Sequence, residues 1–139
     1  MIRPEELLSL AARARESAYA PYSGFAVGAA LLATDGTVYT GCNIENAAFT
    51  STVCAERVAV FRAVADGKRD FSAIAVVGGK AGERAGRCTP CGVCRQVLAE
   101  FCDPEMDVIC ANKYGEYRAF TLGELLPFSF TGKDLEGVR

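Results

Sequence analysis

The alternation of apolar and polar residues predicts how the first part of the chain folds. Apolar residues recur at helical spacing behind a proline and two acidic residues, which predicts a helix over about 4–18. Two β-prone runs follow, 25–33 and 37–43, and Asp35-Gly36 between them is a dipeptide typical of tight hairpin turns. We therefore expect a helix followed by a β-hairpin.

The rest of the chain continues this alternation of helices and strands. A helical pattern begins near Val53 and stops at Gly67, a residue type common just past a helix end. The run 71–77 is almost entirely apolar, as in a strand that is buried on both faces. The remaining predicted elements are a loop over 79–90, a helix over 91–101, strands over 108–111 and 117–120, and a short helix opened by the capping-box pattern Thr121-Leu122-Gly123-Glu124. This order, α-β-β-α-β-α-β-β-α, predicts an α/β sheet with helices on both faces.

Length, charge and hydropathy narrow the class of protein. A chain of 139 residues, half of them hydrophobic, has the size of one domain, so we expect a single domain over 1–139. The net charge is -2 and the 15 Lys and Arg residues are dispersed, which argues against a nucleic-acid partner. Neither a signal-peptide pattern nor an apolar run of membrane-spanning length is present, so we expect a cytoplasmic protein without a membrane partner.

The chain has seven cysteines and no histidine. An odd number of cysteines suits a disulfide framework poorly and suits metal binding or catalysis better. The absence of histidine removes Ser-His and Cys-His nucleophiles and every histidine-ligated metal from consideration. Any metal site must therefore be built from cysteine and carboxylate.

Three cysteines stand at the predicted starts of two helices. Cys54 opens one helix, and Cys91 and Cys94, three residues apart, open another. Zinc takes three or four nitrogen or sulfur ligands in a tetrahedral array, and a catalytic site keeps one position open for water. Both helix dipoles would favour thiolates at these positions. The pattern predicts a three-thiolate zinc site.

A lone Cys-x-x-Cys pair is also typical of a redox dithiol or of half of a structural zinc clip. Glu56 argues against both alternatives, because it lies two residues after Cys54 in the first turn of the same helix. Taken alone, such an acid is usually a helix N-terminal residue stabilised by the dipole. Taken with the two cysteine elements, Glu56 becomes a candidate general acid and base.

These motifs resemble the cytidine deaminase family, in the small form where cysteine replaces the histidine ligand. The resemblance covers most of the chain and rests on six segments: Tyr19-Ala20-Pro21-Tyr22-Ser23, Phe25-x-Val27-Gly28-Ala29-Ala30, Gly41-Cys42-Asn43-Ile44-Glu45-Asn46-Ala47, Cys54-Ala55-Glu56, Pro90-Cys91-x-x-Cys94-Arg95-Gln96-Val97 and Glu124-Leu125-Leu126-Pro127. It implies a three-layer α/β/α fold with a mixed central sheet. It also implies one zinc ion per subunit on Cys54, Cys91 and Cys94, with Glu56 as the proton shuttle.

The reaction implied by the resemblance is hydrolytic deamination of cytidine and 2'-deoxycytidine to uridine and 2'-deoxyuridine, with release of ammonia, in pyrimidine salvage. A zinc-bound hydroxide would attack C4 of the ring while Glu56 protonates N3 and then the departing amine. Two alternatives stay open: a deaminase of a related aminopyrimidine nucleoside such as blasticidin S, and a non-catalytic zinc or dithiol module. An RNA-editing relative fits less well, because the chain lacks a His-Ala-Glu box and a basic face.

Further residues are candidates for substrate binding. Asn43 and Glu45 alternate along an extended segment, so their side chains share one face and could clasp the ribose hydroxyls. The resemblance implies that Phe25 packs on the pyrimidine. It also favours the Ala55 backbone and the Thr89 carbonyl as groups that contact the base edge.

Two more residues complete the predicted site. Three thiolates on Zn²⁺ carry a net charge of 2 − 3 = −1, and Arg57 is the candidate that offsets it. By resemblance the chain forms a homotetramer in which Phe130, by spacing a better match than Phe128, reaches into a neighbouring subunit's site. The other four cysteines have no partner by spacing, and we expect them to be small buried apolar residues: Cys42, Cys88, Cys102 and Cys110.

Overall fold

The computed structural model describes residues 2–112 and 114–135. The elements follow the predicted order: α1 Pro4–Arg15, β1 Phe25–Ala33, β2 Val38–Cys42, α2 Ala55–Ala65, β3 Phe71–Lys80, α3 Gly92–Phe101, β4 Asp107–Ala111, β5 Tyr117–Thr121 and α4 Leu122–Leu125. Short 3₁₀ turns lie at Phe49–Ser51 and Gly132–Asp134. The predicted capping box opens α4, since Thr121 Oγ1 accepts from the backbone N–H of Glu124 and the Glu124 carboxylate accepts from that of Thr121.

The two largest differences from the predicted boundaries are at the ends of α1 and β3, and the other boundaries agree within two residues. Helix α1 ends at Arg15 rather than near 18, because the N–H groups of residues 16–18 turn back to carbonyls three residues earlier, in 3₁₀ fashion. Strand β3 continues to Lys80, whereas the sequence predicted a loop from Gly79. The extension occurs because β3 stays paired with β1 up to the Phe25–Lys80 register position.

The five strands form one mixed sheet in the order β2-β1-β3-β4-β5. Strands β3 and β4 are parallel, and every other neighbouring pair is antiparallel. Helix α1 packs on one face through Leu7, Leu8 and Ala11, and α2 and α3 cover the other. The α/β class and the three-layer arrangement with a mixed sheet are therefore confirmed.

Two glycines let the helices lie directly on the sheet. A Cβ at Gly28 would lie 1.9 Å from the carbonyl oxygen of Ala11 in α1. A Cβ at Gly41 would lie 2.4 Å from the carbonyl oxygen of Ala55, the first residue of α2. Only glycine permits approaches this close, so Gly41 fixes how near the start of α2 comes to strand β2.

The topology gathers the predicted site at one edge of the sheet. Strand β1 begins at the edge where β2 and β3 end, because β1 is antiparallel to both. The chain segments that follow β2 and β3 leave the sheet at this edge and lead into α2 and α3, so both helices begin near it.

Within the described residues, no helix has the length and apolar character needed to cross a lipid bilayer.

Candidate active site

The three candidate thiols meet where α2 and α3 begin. Cys54 precedes the first residue of α2 as its N-cap, Cys91 holds the same position before α3, and Cys94 lies in the first turn of α3. The Sγ atoms of Cys54 and Cys91 are 3.8 Å apart, and those of Cys91 and Cys94 are 3.6 Å apart. All three sulfurs lie within 4.8 Å of one another.

This spacing suits a tetrahedral metal ion with sulfur ligands. A Zn–S bond of about 2.3 Å and a tetrahedral angle require sulfurs about 3.8 Å apart, close to the two separations found here. Among residues 2–112 and 114–135, Cys54, Cys91 and Cys94 are the group of cysteine or acidic side chains whose ligand atoms lie close enough together to hold one ion. With three protein ligands, the fourth tetrahedral position stays available for water or substrate.

The protonation states of Cys54 and Cys94 are coupled. Hydrogen bonding with Cys94, together with Arg57 and Cys91, lowers the pKa of Cys54 to about 5. The same hydrogen bond, with burial, raises the pKa of Cys94, so in the absence of metal this pair shares one proton. Because metal ligation requires thiolates, binding of an ion would displace that proton.

Arg57 supplies positive charge to the cluster. Its Nη2 atom donates to the Sγ atom of Cys54 at 3.3 Å, from one turn further along α2. Burial alone would lower the pKa of Arg57, because it disfavours the charged guanidinium. Hydrogen bonds with Cys54 and Cys94 outweigh this effect and raise the pKa. Its buried Nε atom has no hydrogen-bond partner among the described residues. Arg57, which the sequence predicted to offset the negative charge of the thiolates, therefore lies in contact with the thiol cluster.

Glu56 is buried beside the thiols, with a residue exposure of 3%. Burial raises the pKa of its carboxyl to about 7, the negative charge of Cys54 adds to this, and the residue's own backbone N–H opposes it. A carboxyl with this pKa can both accept and release a proton near neutral pH. The protein thus keeps a buried acid next to a metal-ligand cluster, a combination typical of a functional site.

Asn43 and Glu45 face the same segment of chain, as their alternation predicted. The Asn43 side chain is buried and is bound to the backbone of β1: Oδ1 accepts from the N–H of Val27 at 2.9 Å, and Nδ2 donates to the carbonyl of Phe25 at 2.8 Å. Glu45 binds the turn before β1, where Oε1 accepts from the N–H groups of Tyr22 and Ser23. Both residues lie beside the start of α2, because Ile44 forms a bridge with Val53.

Phe25 lies at the first position of β1, with 42% of its surface exposed. Its ring and the Cys88 side chain both rest against Gly78, where an added Cβ would lie 3.1 Å from Phe25 Cε2 and 2.9 Å from Cys88 Sγ. Cys88 belongs to the segment that leads into Cys91. The shared contact with Gly78 makes Phe25 the candidate aromatic wall of the site.

The two backbone candidates also lie at this edge. Ala55 is the first residue of α2, where backbone N–H groups have no acceptor within the helix. Thr89 is exposed in the segment before α3, and its carbonyl oxygen is 4.0 Å from the Sγ atom of Cys88. Both positions can present backbone groups to a ligand.

Two phenylalanines project from the segment after α4. Phe128 is fully exposed and has a positive φ of 53°, and Phe130 is 60% exposed. The Nε2 atom of Gln96 in α3 donates to the carbonyl of Phe130 at 2.8 Å, which ties this segment to the helix that carries Cys94. Of the other cysteines, Cys102 and Cys110 are buried as predicted, whereas Cys42 and Cys88 are only half-buried.

Two residues of the family-like segments received no role from the sequence. Arg95 donates to the carbonyl of Pro90 at 2.7 Å and to that of Leu125 at 2.8 Å, so it holds the segment before Cys91 against the end of α4. Ser23 hydrogen-bonds the Glu45 carboxylate through its hydroxyl. The available signals were the family-like segments and position: Arg95 directly follows Cys94, and Ser23 stands in the turn before β1.

Comparisons with known proteins agree with this site. Residues 1–110 match the family described as the cytidine and deoxycytidylate deaminase zinc-binding region. The chain is 53% identical over 131 residues to a cytidine deaminase of Sporosarcina psychrophila, covering 94% of this chain and 93% of the relative. It is 49% identical over 129 residues to the cytidine deaminase of Halalkalibacterium halodurans, covering 93% and 95% of the two chains.

Solved structures show the same likeness. A crystal structure of cytidine deaminase from Burkholderia pseudomallei superposes with a TM-score of 0.85 at 47% identity, covering 93% of this chain and all of that one. A cytidine deaminase structure from Mycobacterium tuberculosis gives a TM-score of 0.79 at 39% identity, covering 94% and 98%. Fold and thiol cluster define a zinc-binding deaminase domain. The chain belongs to the cytidine deaminase family of zinc-dependent hydrolases.

Proposed function

We propose that this protein hydrolyses the 4-amino group of cytidine and 2'-deoxycytidine, giving uridine or 2'-deoxyuridine and ammonia. One observation carries the proposal: three thiols at zinc-ligand spacing lie next to the buried carboxyl of Glu56. The named relatives, which share about half of their residues with this chain, support the choice of substrate. The proposal treats residues 1–139 as one deaminase domain.

Cys54, Cys91 and Cys94 are the residues that would hold one zinc ion per subunit. When bound, zinc supplies a Lewis acid that lowers the pKa of a water molecule to near neutrality. Arg57 and the two helix starts stabilise the three thiolates, whose summed charge would otherwise weaken this effect.

Glu56 carries the protons in the proposed reaction. Its carboxylate takes a proton from the attacking water and delivers it to N3 of the pyrimidine, which makes C4 more electrophilic. Once the hydroxyl has added to C4, the Glu56 carboxylate takes the proton of that hydroxyl and passes it to the amine. The C4–N bond then breaks, ammonia leaves, and C4 keeps a carbonyl oxygen. Burial supports this role, since it holds the pKa of Glu56 at about 7, where transfer in both directions is efficient.

The substrate is held by residues around the same edge of the sheet. Phe25 packs against the pyrimidine ring, and the backbone groups of Ala55 and Thr89 contact its polar edge. Glu45 and Asn43 bind the ribose hydroxyls. Asn43 Nδ2 uses one hydrogen for the Phe25 carbonyl, which leaves its second hydrogen for the sugar.

We also propose a homotetramer with sites completed across subunits, acting in pyrimidine salvage in the cytoplasm. In the single chain Cys91 is exposed, so a neighbouring surface is needed to exclude water from the thiols. Exposed Phe130, held at its carbonyl by Gln96, is the candidate for that contact.

The test compares Glu56→Gln with Glu5→Gln, an exposed glutamate on α1. We expect Glu56→Gln to keep its fold and stoichiometric zinc while kcat on cytidine falls by at least about 100-fold, since general acid-base groups contribute about 10²–10⁴. Glu5→Gln should match the wild type. Normal turnover by Glu56→Gln refutes the mechanism, and a zinc-loaded wild type inactive on cytidine and deoxycytidine points to another aminopyrimidine substrate or to a non-catalytic module.

A further inference from the structure

The Ser23 hydroxyl lies between two parts of the candidate substrate site. It donates to Oε2 of Glu45, because an ionised carboxylate can only accept, and its oxygen accepts from the backbone N–H of Phe25 at 2.9 Å. Gly24, between Ser23 and Phe25, has a φ of 70°, a left-handed conformation that glycine adopts without strain. This turn brings the hydroxyl back onto the first residue of β1.

Glu45 is fixed by this turn although it lies near the surface. Its Oε1 accepts from the N–H of Tyr22 at 2.9 Å and from the N–H of Ser23 at 3.0 Å, and its Oε2 accepts from the Ser23 hydroxyl. A carboxylate offers about four lone-pair sites, so about one remains for another donor. The hydrogen bond from the Ser23 hydroxyl is also the main reason that the pKa of Glu45 is lowered.

Phe25 is held through its backbone from both sides. Ser23 accepts from its N–H, and Asn43 Nδ2 donates to its carbonyl at 2.8 Å. Ser23 therefore links Glu45, the residue assigned to the sugar, to Phe25, the residue assigned to the base.

We propose that Ser23 is a positioning residue that holds the Glu45 carboxylate at a set distance from the Phe25 ring, so that base and sugar are bound together. Ser23 contacts no substrate atom itself. The inference rests on the proposed function, because it takes the ligand to be a pyrimidine nucleoside.

A role limited to stabilising the turn predicts a different result from this positioning role. If Ser23 only stabilises the turn, its loss weakens the binding of every ligand of the site equally. If Ser23 positions Glu45, its loss matters for nucleosides that carry ribose hydroxyls and matters little for those that lack them. The sugar of the ligand therefore separates the two.

The experiment compares Ser23→Ala, Ser23→Thr and Ser9→Ala on zinc-loaded protein, with cytidine and 2',3'-dideoxycytidine as substrates. We expect Ser23→Ala to lower kcat/KM for cytidine by about tenfold, mostly through KM, since a hydrogen bond to a charged group has about this weight. For dideoxycytidine the change should stay below about threefold. Ser23→Thr, which keeps the hydroxyl, should restore most of the cytidine activity, and Ser9→Ala, on the exposed side of α1, should match the wild type.

Equal losses on both substrates, or no loss on cytidine, would overturn the inference. Calorimetric binding of uridine and 2',3'-dideoxyuridine gives a second readout without turnover, with the same expected contrast between the variants. A wild type that binds uridine yet leaves cytidine unchanged contradicts the proposed function alone, and the binding data then still decide the role of Ser23. A wild type that binds neither nucleoside contradicts both.

Discussion

The Nη2 atom of Arg57 lies 3.3 Å from the Sγ atom of Cys54. A guanidinium at this distance stabilises a thiolate, which is the ligand form that zinc requires. We therefore expect Arg57→Gln to bind zinc about 10- to 100-fold more weakly, the usual cost of losing a group that supports a metal ligand. Competition with a chromophoric chelator measures this affinity.

The Arg57→Gln variant should also release zinc at a higher pH than the wild type during acid titration, because its thiols hold their protons more tightly. Arg13→Gln, an exposed arginine of α1 on another layer of the fold, is the matched control and should leave the affinity unchanged. An Arg57→Gln protein with wild-type zinc affinity would show that the arginine does not support the thiolates.

Gly78→Ala should disturb the aromatic wall. The added Cβ would lie 2.9 Å from Cys88 Sγ and 3.1 Å from Phe25 Cε2, so one of these side chains must shift. Crowding of this kind costs about 1–3 kcal/mol, and displacement of the Phe25 ring should raise KM for cytidine severalfold. Steady-state kinetics and thermal unfolding measure the two effects.

Gly86→Ala is the control for this steric argument, since nothing lies within 4 Å of its Cβ position. Adding Cys88→Ala to Gly78→Ala removes the Sγ contact, the shortest of the three, and should recover part of the lost stability, while the contact with the Cβ of residue 88 at 3.0 Å remains. If Gly78→Ala has the same KM for cytidine and the same thermal stability as Gly86→Ala, the position of the Phe25 ring does not depend on the absence of a side chain at residue 78.

Phe130→Ala should raise KM for cytidine by at least about tenfold if this side chain completes a neighbouring site, because buried aromatic anchors carry large shares of interface energy. Phe128→Ala should change KM less, even though Phe128 is the more exposed of the two. Light scattering on the wild type should give a tetramer. A catalytically competent monomer would exclude a contribution of Phe130 to another subunit's site.

Asp35 gives a pH-dependent stability far from the thiols. The hydrogen bond from Lys68, aided by Thr37, lowers the pKa of Asp35 to about 2, below the ordinary value of 3.8. A pKa lowered by folding adds stability that is fully present above the unfolded-state pKa and is lost as the pH falls towards 2. We expect Asp35→Asn to lower Tm slightly at pH 6, with the difference from the wild type vanishing towards pH 2.

Lys68→Gln removes the other partner of this ion pair and should reproduce the small loss at pH 6. Thermal unfolding at pH 6, 4 and 2.5 follows the trend. A difference in Tm between the wild type and Asp35→Asn that stays constant from pH 6 to 2.5 would contradict the lowered pKa.

Local patterns were sufficient to predict the arrangement of the thiols. Cys91 and Cys94 are separated by about one helical turn, so the helix start places both side chains on one side. Cys54 occupies the equivalent position before α2, so the prediction needed only that the two helix starts meet. That meeting follows from the order of the strands at one edge of the sheet.

The role of Ser23 could not be predicted, because it depends on contacts between distant parts of the chain. Its hydroxyl meets Glu45, 22 residues away, only because Gly24 turns the backbone and Tyr19 pairs with Ile44. Arg95 is similar, since its contact with the Leu125 carbonyl depends on how α4 packs against α3. The predicted end of α1 was also wrong, because the spacing of apolar residues gives no sign of the 3₁₀ turn after Arg15.

In the proposed zinc site, Cys54, Cys91 and Cys94 hold one zinc ion and leave its fourth position to a non-protein ligand. X-ray absorption at the zinc edge of the purified protein, combined with metal analysis, measures the number and type of these ligands. We expect one zinc per chain with three sulfurs at about 2.3 Å and one lighter atom at about 2.0 Å. Four sulfur ligands, or fewer than three, would rule this site out.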